Sequence, residues 1–225
     1  MEGQLSPVLN GIRSAALLEG RAHINVVRAA RKDNLKSFSH QIAPLILAKA
    51  LPSIVFDKVN DANYFVINVD HLLKRTAENV IIVDVSPTAS LGVIKPDHRL
   101  YEVLRAKIEI IKNVLRGPGH GGPTGIIEIL DEGQIDSVIL GWILGYPILY
   151  WSDDSSHNSL SDEQLCVVSL SEAGSRTPFT SFSVPVKLMD LLPIANALRS
   201  FYEEIAASGL VTISQRFVSL PKVSL

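Results

Sequence analysis

The sequence predicts an α/β fold: a single domain with a mixed, mostly parallel sheet, helices on both faces and an antiparallel C-terminal part. Three observations predict it. Residues 53–56, 64–67 and 80–83 are short runs that are apolar throughout rather than alternating, as the central strands of a helix-covered parallel sheet are. Residues 97–116 keep the apolar period of a long amphipathic helix. Residues 126–130, the helical pattern that follows, and residues 148–151 read as strand, helix, strand, a βαβ unit whose crossover onto a parallel neighbour is right-handed.

Taken in order, residues 1–38 form an N-terminal helical or linker segment, and residues 39–225 the α/β domain. Ile12, Ala15, Ala16 and Leu18 make a weak helical stripe. Arg21, Arg28, Arg31, Lys32 and Lys36 follow without aromatic partners, the pattern of a solvated helix face, with a phosphate or anionic-lipid contact as the alternative. Pro44 suits the first turn of a helix running to about Ala50, where no intrahelical N–H bond is lost. The three apolar runs come next, with a short helix near residues 70–77. In the long helix, Leu100, Val103, Leu104, Ile108, Ile111, Val114 and Leu115 face inward, Arg105 and Glu109 stand i,i+4 outside, and Gly117 is a left-handed stop. Gly145 closes the next helix with positive φ, and Pro147 fixes entry into the strand at 148–151. After a polar loop at 152–164, residues 165–170 and 179–184 are strands joined by a turn around Ala173 and Gly174. Pro185 opens a helix over 186–207, Gly209 stops it, and residues 211–220 are the last strand.

Composition narrows the function classes. Twenty-one basic against 23 acidic residues give a net charge of −2, so general nucleic-acid binding, which needs a basic face, is not expected. The lone Cys166 excludes an internal disulfide and a Cys-rich zinc module, and fits a reducing compartment. The longest apolar run, residues 138–151, is too short to span a bilayer and contains Gly141, Gly145 and Pro147. With no basic-then-apolar leader pattern at residues 1–4, the expected location is the cytoplasm, with the nucleus left open.

The most suggestive chemistry is acidic. Strand ends carry Asp57, Asp84, Asp131 with Glu132, and Asp153 with Asp154. Ligands of open parallel sheets bind outside the carboxyl ends of the strands, and carboxylates gathered there hold a hard cation such as Mg²⁺ against a phosphate ester. The competing reading is local: Asp after a strand caps a helix or closes a turn through its own oxygen. Asp84 begins the richest ending, because the hydroxyls of Ser86 and Thr88 follow it. His157 shares a loop with Asp153, Asp154 and Asn158, which makes it the candidate acid or base. The candidate set is therefore Asp57 and Asp84 for the metal, Ser86 and Asn158 for a bound cofactor, and His157 for catalysis. The loop at 117–123, with His120, follows a helix and precedes a strand, the reverse of a phosphate loop, and lacks the Lys-Ser/Thr ending. No G-x-S-x-G elbow occurs, and Cys166 lies mid-strand as a small hydrophobe.

Several motifs carry a resemblance. Residues 144–147 (Leu-Gly-Tyr-Pro), 181–185 (Ser-Phe-Ser-Val-Pro) and 218–225 are joined by weaker matches at 51–57, 83–86 and 158–160, all in consistent order. Together they resemble uncharacterised protein family 0739, a group of intracellular proteins without established activity. The resemblance implies a grouping rather than a function, and it points to Asp57, Asp84 and Asn158 as its matching polar positions. Two readings follow from the residues: a non-catalytic intracellular module binding a protein or small ligand, and a metal-assisted hydrolase of a phosphorylated small molecule. The first is preferred because no complete catalytic set is present.

Overall fold

The structure, a computed structural model, describes residues 15–18, 45–49, 64–116, 126–128, 136–153 and 158–221. In chain order its elements are β1 (Ala15–Leu18), β2 (Leu45–Lys49), β3 (Tyr64–Asn68), α1 (Val69–Lys74), a 3₁₀ turn (Ala77–Asn79), β4 (Ile81–Asp84) and β5 (Gly92–Val93). Then come α2 (Arg99–Arg116), β6 (Ile126–Glu128), α3 (Asp136–Leu144), β7 (Ile148–Trp151), β8 (Gln164–Glu172) and β9 (Pro178–Pro185). A second 3₁₀ turn (Val186–Leu188), α4 (Leu192–Ala207) and β10 (Val211–Ser219) complete the order. The chain divides into two compact units, the first drawn from Met1–Arg75, Ala106–Asp136 and Ile143–Gly145, the second from Thr76–Arg105, Ser137–Trp142 and Tyr146–Leu225.

The first unit holds the sheet β1-β3-β2-β6. Chain direction at β3 turns into α1 because the Asn68 side chain caps the helix, its Oδ1 accepting the His71 N–H at 3.0 Å. Ile67, Val69, Leu72, Ile108, Ile111, Leu115 and Ile143 are its buried apolar side chains among those described. The inward stripe expected of α2 is correct at Leu104, Ile108, Ile111 and Leu115, while Leu100, Val103 and Val114 are only partly buried. Tyr101 adds a buried position that the period had not singled out.

The second unit holds two three-stranded sheets, β5-β4-β7 and β10-β8-β9. They share one core with α4, in which Val83, Val85 and Ile148 meet Cys166, Val168, Val184, Ile194 and Leu198. The Tyr150 hydroxyl joins the sheets, donating to Ser183 O at 2.6 Å. Phe182 lies edge-on to Phe201 of α4, ring centroids 5.3 Å apart. Helix α3 lies close over β7: a Cβ built at Gly141 would stand 2.7 Å from Leu149 Cδ2, so glycine is what permits the approach. Gly145 ends α3 at φ 87°, and Gly209 ends the α4 region at φ 64°, both as the sequence predicts.

Several expectations need correction. The mixed α/β class holds, but the mostly parallel single sheet does not: among the described residues only β2 with β6 and β4 with β7 pair in parallel, and β3 is antiparallel to both its neighbours. An unbroken apolar run signals burial on both faces; it says nothing of direction, which the connections set. Ala15–Leu18 and Leu45–Lys49, expected as helix, are strands, because pairing with β3 overrides weak local propensity. The helix expected over 186–207 is a 3₁₀ turn followed by α4, with Pro193 in its first turn. Arg105 and Glu109 do not pair; Arg105 reaches Glu78 at 3.0 Å, while Glu109 stands 3.9 Å from Lys112. The run at 53–56 and the loop at 117–123 lie outside the described residues.

Candidate functional site at two parallel strand ends

The parallel pair β4 and β7 is registered Ile81 on Ile148 through Asp84 on Trp151, so both strands deliver their carboxyl ends to one edge. Three chain segments are stitched together just beyond it. The Val85 N–H donates to Trp151 O at 2.8 Å, and the Ser159 N–H donates to Val85 O at 2.8 Å. This arrangement satisfies the backbone where the ladder stops.

Side chains then fill the gaps between these segments. Asp84 Oδ1 accepts the Ser86 N–H at 2.9 Å, a turn closed by the residue's own carboxylate. Ser86 is 2% exposed, and its Oγ accepts the Asp153 N–H at 3.0 Å. The Thr88 hydroxyl donates to Asp153 Oδ2 at 3.3 Å. Asn158 closes a second turn, its Oδ1 accepting the Leu160 N–H at 3.1 Å, which seats the fully buried Leu160 in the core. The sequence-predicted Asp84, Ser86, Thr88, Asp153 and Asn158 are thus brought to one edge.

What these contacts do is mostly structural. The carboxylate of Asp84 and the amide oxygen of Asn158 are each engaged by a local backbone N–H, the local reading weighed for strand-end acids. One oxygen of Asp84, Oδ2, has no protein partner among the described residues. Two further buried atoms, Ser159 Oγ and Trp151 Nε1, lie at this edge without hydrogen-bond partners among the described residues. No sequence signal marks them, since an orphaned polar atom is a property of packing. Asp57 and His157 lie outside the described residues, as do His120, Asp131, Glu132 and Asp154. Among the described residues, no group of three or more His, Cys, Asp or Glu side chains forms a metal-holding cluster.

Elsewhere, burial sets the titration of several groups. Burial pushes the Tyr150 phenol up, against the pull of its bond to Ser183. Burial likewise raises the Cys166 thiol. Glu78 is lowered, chiefly by the Thr76 side chain and its own backbone N–H, then by Arg105. No helix among the described residues is long and apolar enough to cross a membrane.

The chain belongs to the family described as a domain of unknown function, DUF4504, whose family model matches residues 1–207. That is a family without an assigned activity, as the motif resemblance implied, although the description does not carry the designation 0739. No curated protein matches the chain, and no solved structure does.

Proposed function

We propose that this member of a family of unknown function is a non-catalytic module that binds another polypeptide through the outer edge of β10. The observation that carries the reading is a nine-residue strand that, among the described residues, is paired along its whole length on one side only, with Phe217 at 60% exposure. An unpaired row of N–H and C=O groups is a template for another strand, and proteins usually blunt it with lysine, proline, a bulge or a covering element. β10 contains no Lys, Pro or Gly, and its register with β8 runs without a shift. Main-chain bonds would supply affinity and alternate side chains specificity. Selection of extended peptides on the full chain tests this. Selected peptides should lose binding to the Gln215→Pro variant; peptides that bind that variant unchanged overturn the reading.

A second reading, the metal-assisted hydrolase of a phosphorylated small molecule, is favoured by one observation: Asp84 keeps an oxygen without a protein partner among the described residues, beside Asp153 on the neighbouring strand end. In that reading Asp57 and Asp84 hold Mg²⁺, Ser86 and Asn158 contact the bound group, and His157 is the acid or base. Thermal unfolding with and without Mg²⁺ tests it. Mg²⁺ should stabilise the wild type and not Asp84→Asn, whereas a wild type indifferent to millimolar Mg²⁺ sinks it. Either reading fits a cytoplasmic protein. We also infer that family 0739 and the matched domain describe the same group of chains, because the motifs at 51–57 through 181–185 fall within residues 1–207. Aligning members of one family to the other's model checks that.

A further inference from the structure

The edge of β10 carries its own complement. The Ala173 N–H donates to Leu210 O at 2.9 Å, and these two residues continue the register that pairs Val211 with Glu172. Hydrogen-bonded pairs alternate along an antiparallel ladder, so even-numbered residues of β10 spend their backbone groups on β8. The odd-numbered ones, Val211, Ile213, Gln215, Phe217 and Ser219, direct theirs to the open edge.

Odd side chains of β10 also share a face. Ile213 packs on the core, and Gln215 Nε2 donates to the Tyr202 hydroxyl of α4 at 2.8 Å. Two copies joined edge to edge as a continuous sheet, with α4 of each on the same side, must therefore pair odd with odd and even with even. That leaves three central registers, with the two-fold axis at Ser214, Gln215 or Arg216. The axis at Arg216 sets two guanidiniums against each other, which disfavours it. The axis at Ser214 opposes Ile213 to Gln215 and leaves the exposed Leu220 unmatched.

The axis at Gln215 opposes the larger apolar side chains to one another, with Val211 against Ser219 and Thr212 against Val218 toward the ends. Ile213 of one copy faces Phe217 of the other, an aromatic on a β-branched side chain. Leu210, 51% exposed, faces Leu220, 43% exposed. Arg216, the one charge on the strand, faces Ser214 and meets no like charge.

We propose that the partner at this edge is a second copy of the chain, paired β10 to β10 about a two-fold axis at Gln215 into one six-stranded antiparallel sheet. The contact is isologous, so every matched pair occurs twice. This rests on the reading of β10 as a polypeptide-binding edge and names its occupant.

Sedimentation equilibrium of the full chain, from micromolar to tenth-millimolar concentration, tests it. The wild type should dimerise. Ser214→Arg places a second guanidinium opposite Arg216 at two symmetry-related positions and should weaken the dimer about tenfold or more. Adding Arg216→Glu to Ser214→Arg should restore it, because the pair becomes opposite in sign at this register alone. Both positions are exposed and direct no backbone group to the open edge, so neither change removes a bond of the contact. A wild type that stays monomeric throughout, or a double variant that fails to recover, overturns the proposal. A monomer whose selected peptides still depend on Gln215 would overturn the second-copy partner and leave the binding edge standing. A monomer whose selected peptides bind Gln215→Pro unchanged would overturn both.

Discussion

Replacing Tyr150 by Phe removes one oxygen from the join between the two sheets of the second unit. The hydroxyl donates to Ser183 O at 2.6 Å, and the ring packs on the shared core, so the substitution leaves the packing and deletes the bond. Losing one partner of this part-buried hydrogen bond costs about 1 kcal/mol, because the carbonyl is left without its donor. That loss should appear in urea unfolding near neutral pH, followed by circular dichroism. The pH dependence is more diagnostic. Burial raises the phenol in the folded protein above its ordinary value near 10, while the unfolded chain ionises at that ordinary value. Above about pH 10 the unfolded state has lost a proton that the folded state keeps, so the stability contributed by Tyr150 is whole below that pH and falls above it. The advantage of wild type over Tyr150→Phe should shrink by about 1.4 kcal/mol per pH unit there. Tyr101 and Tyr202, also raised chiefly by burial, occur in both proteins and cancel in the difference. An advantage independent of pH between 9 and 11 would show that the Tyr150 phenol is not held in its neutral form, and the reasoning would fail.

Gly141→Ala should destabilise by roughly 1–2 kcal/mol despite the better helix propensity of alanine, since its Cβ would stand 2.7 Å from Leu149; thermal unfolding that rises instead would mean Leu149 simply rotates away. Cys166, fully buried with its thiol raised by burial, should resist an aromatic disulfide reagent in native buffer and react at once in denaturant, as absorbance of the released thiolate will report. Ile108→Ala should cost about 2–5 kcal/mol through lost burial and the cavity left behind, and a measured loss under about 1 kcal/mol would show its side chain to be poorly packed.

The parts legible in the sequence are those where local pattern and tertiary burial agree. Helix α2 advertises itself because Leu104, Ile108, Ile111 and Leu115 recur at the helical period. Gly145 is readable because an α-helix that must stop and re-enter a strand needs positive φ there. Leu45–Lys49 is not readable: five residues rich in leucine and alanine suit either structure, and pairing with β3 decides. The Arg105–Glu78 pair joins residues 27 apart, so a helix-surface rule assigns Arg105 the wrong partner. At the candidate site, Asp84, Ser86 and Asn158 could be named from their place after strands. Their roles in closing turns are set by the fold, because the same carboxylate that can face a cation can also accept a backbone N–H two residues on. The open edge of β10 has no sequence mark at all, since neighbours within a sheet are not encoded locally.

Both tryptophans of the chain lie in the second unit, Trp142 fully buried on α3 and Trp151 at the end of β7, and the indole N–H of each lacks a hydrogen-bond partner among the described residues. Their emission is therefore a private optical channel of that unit. A denaturation curve recorded by fluorescence follows the sheets around β4 and β8, while circular dichroism sums the helices and strands of both units. Superposition of the two curves, or a gap between them, reads out whether the units melt as one cooperative body without attaching any label.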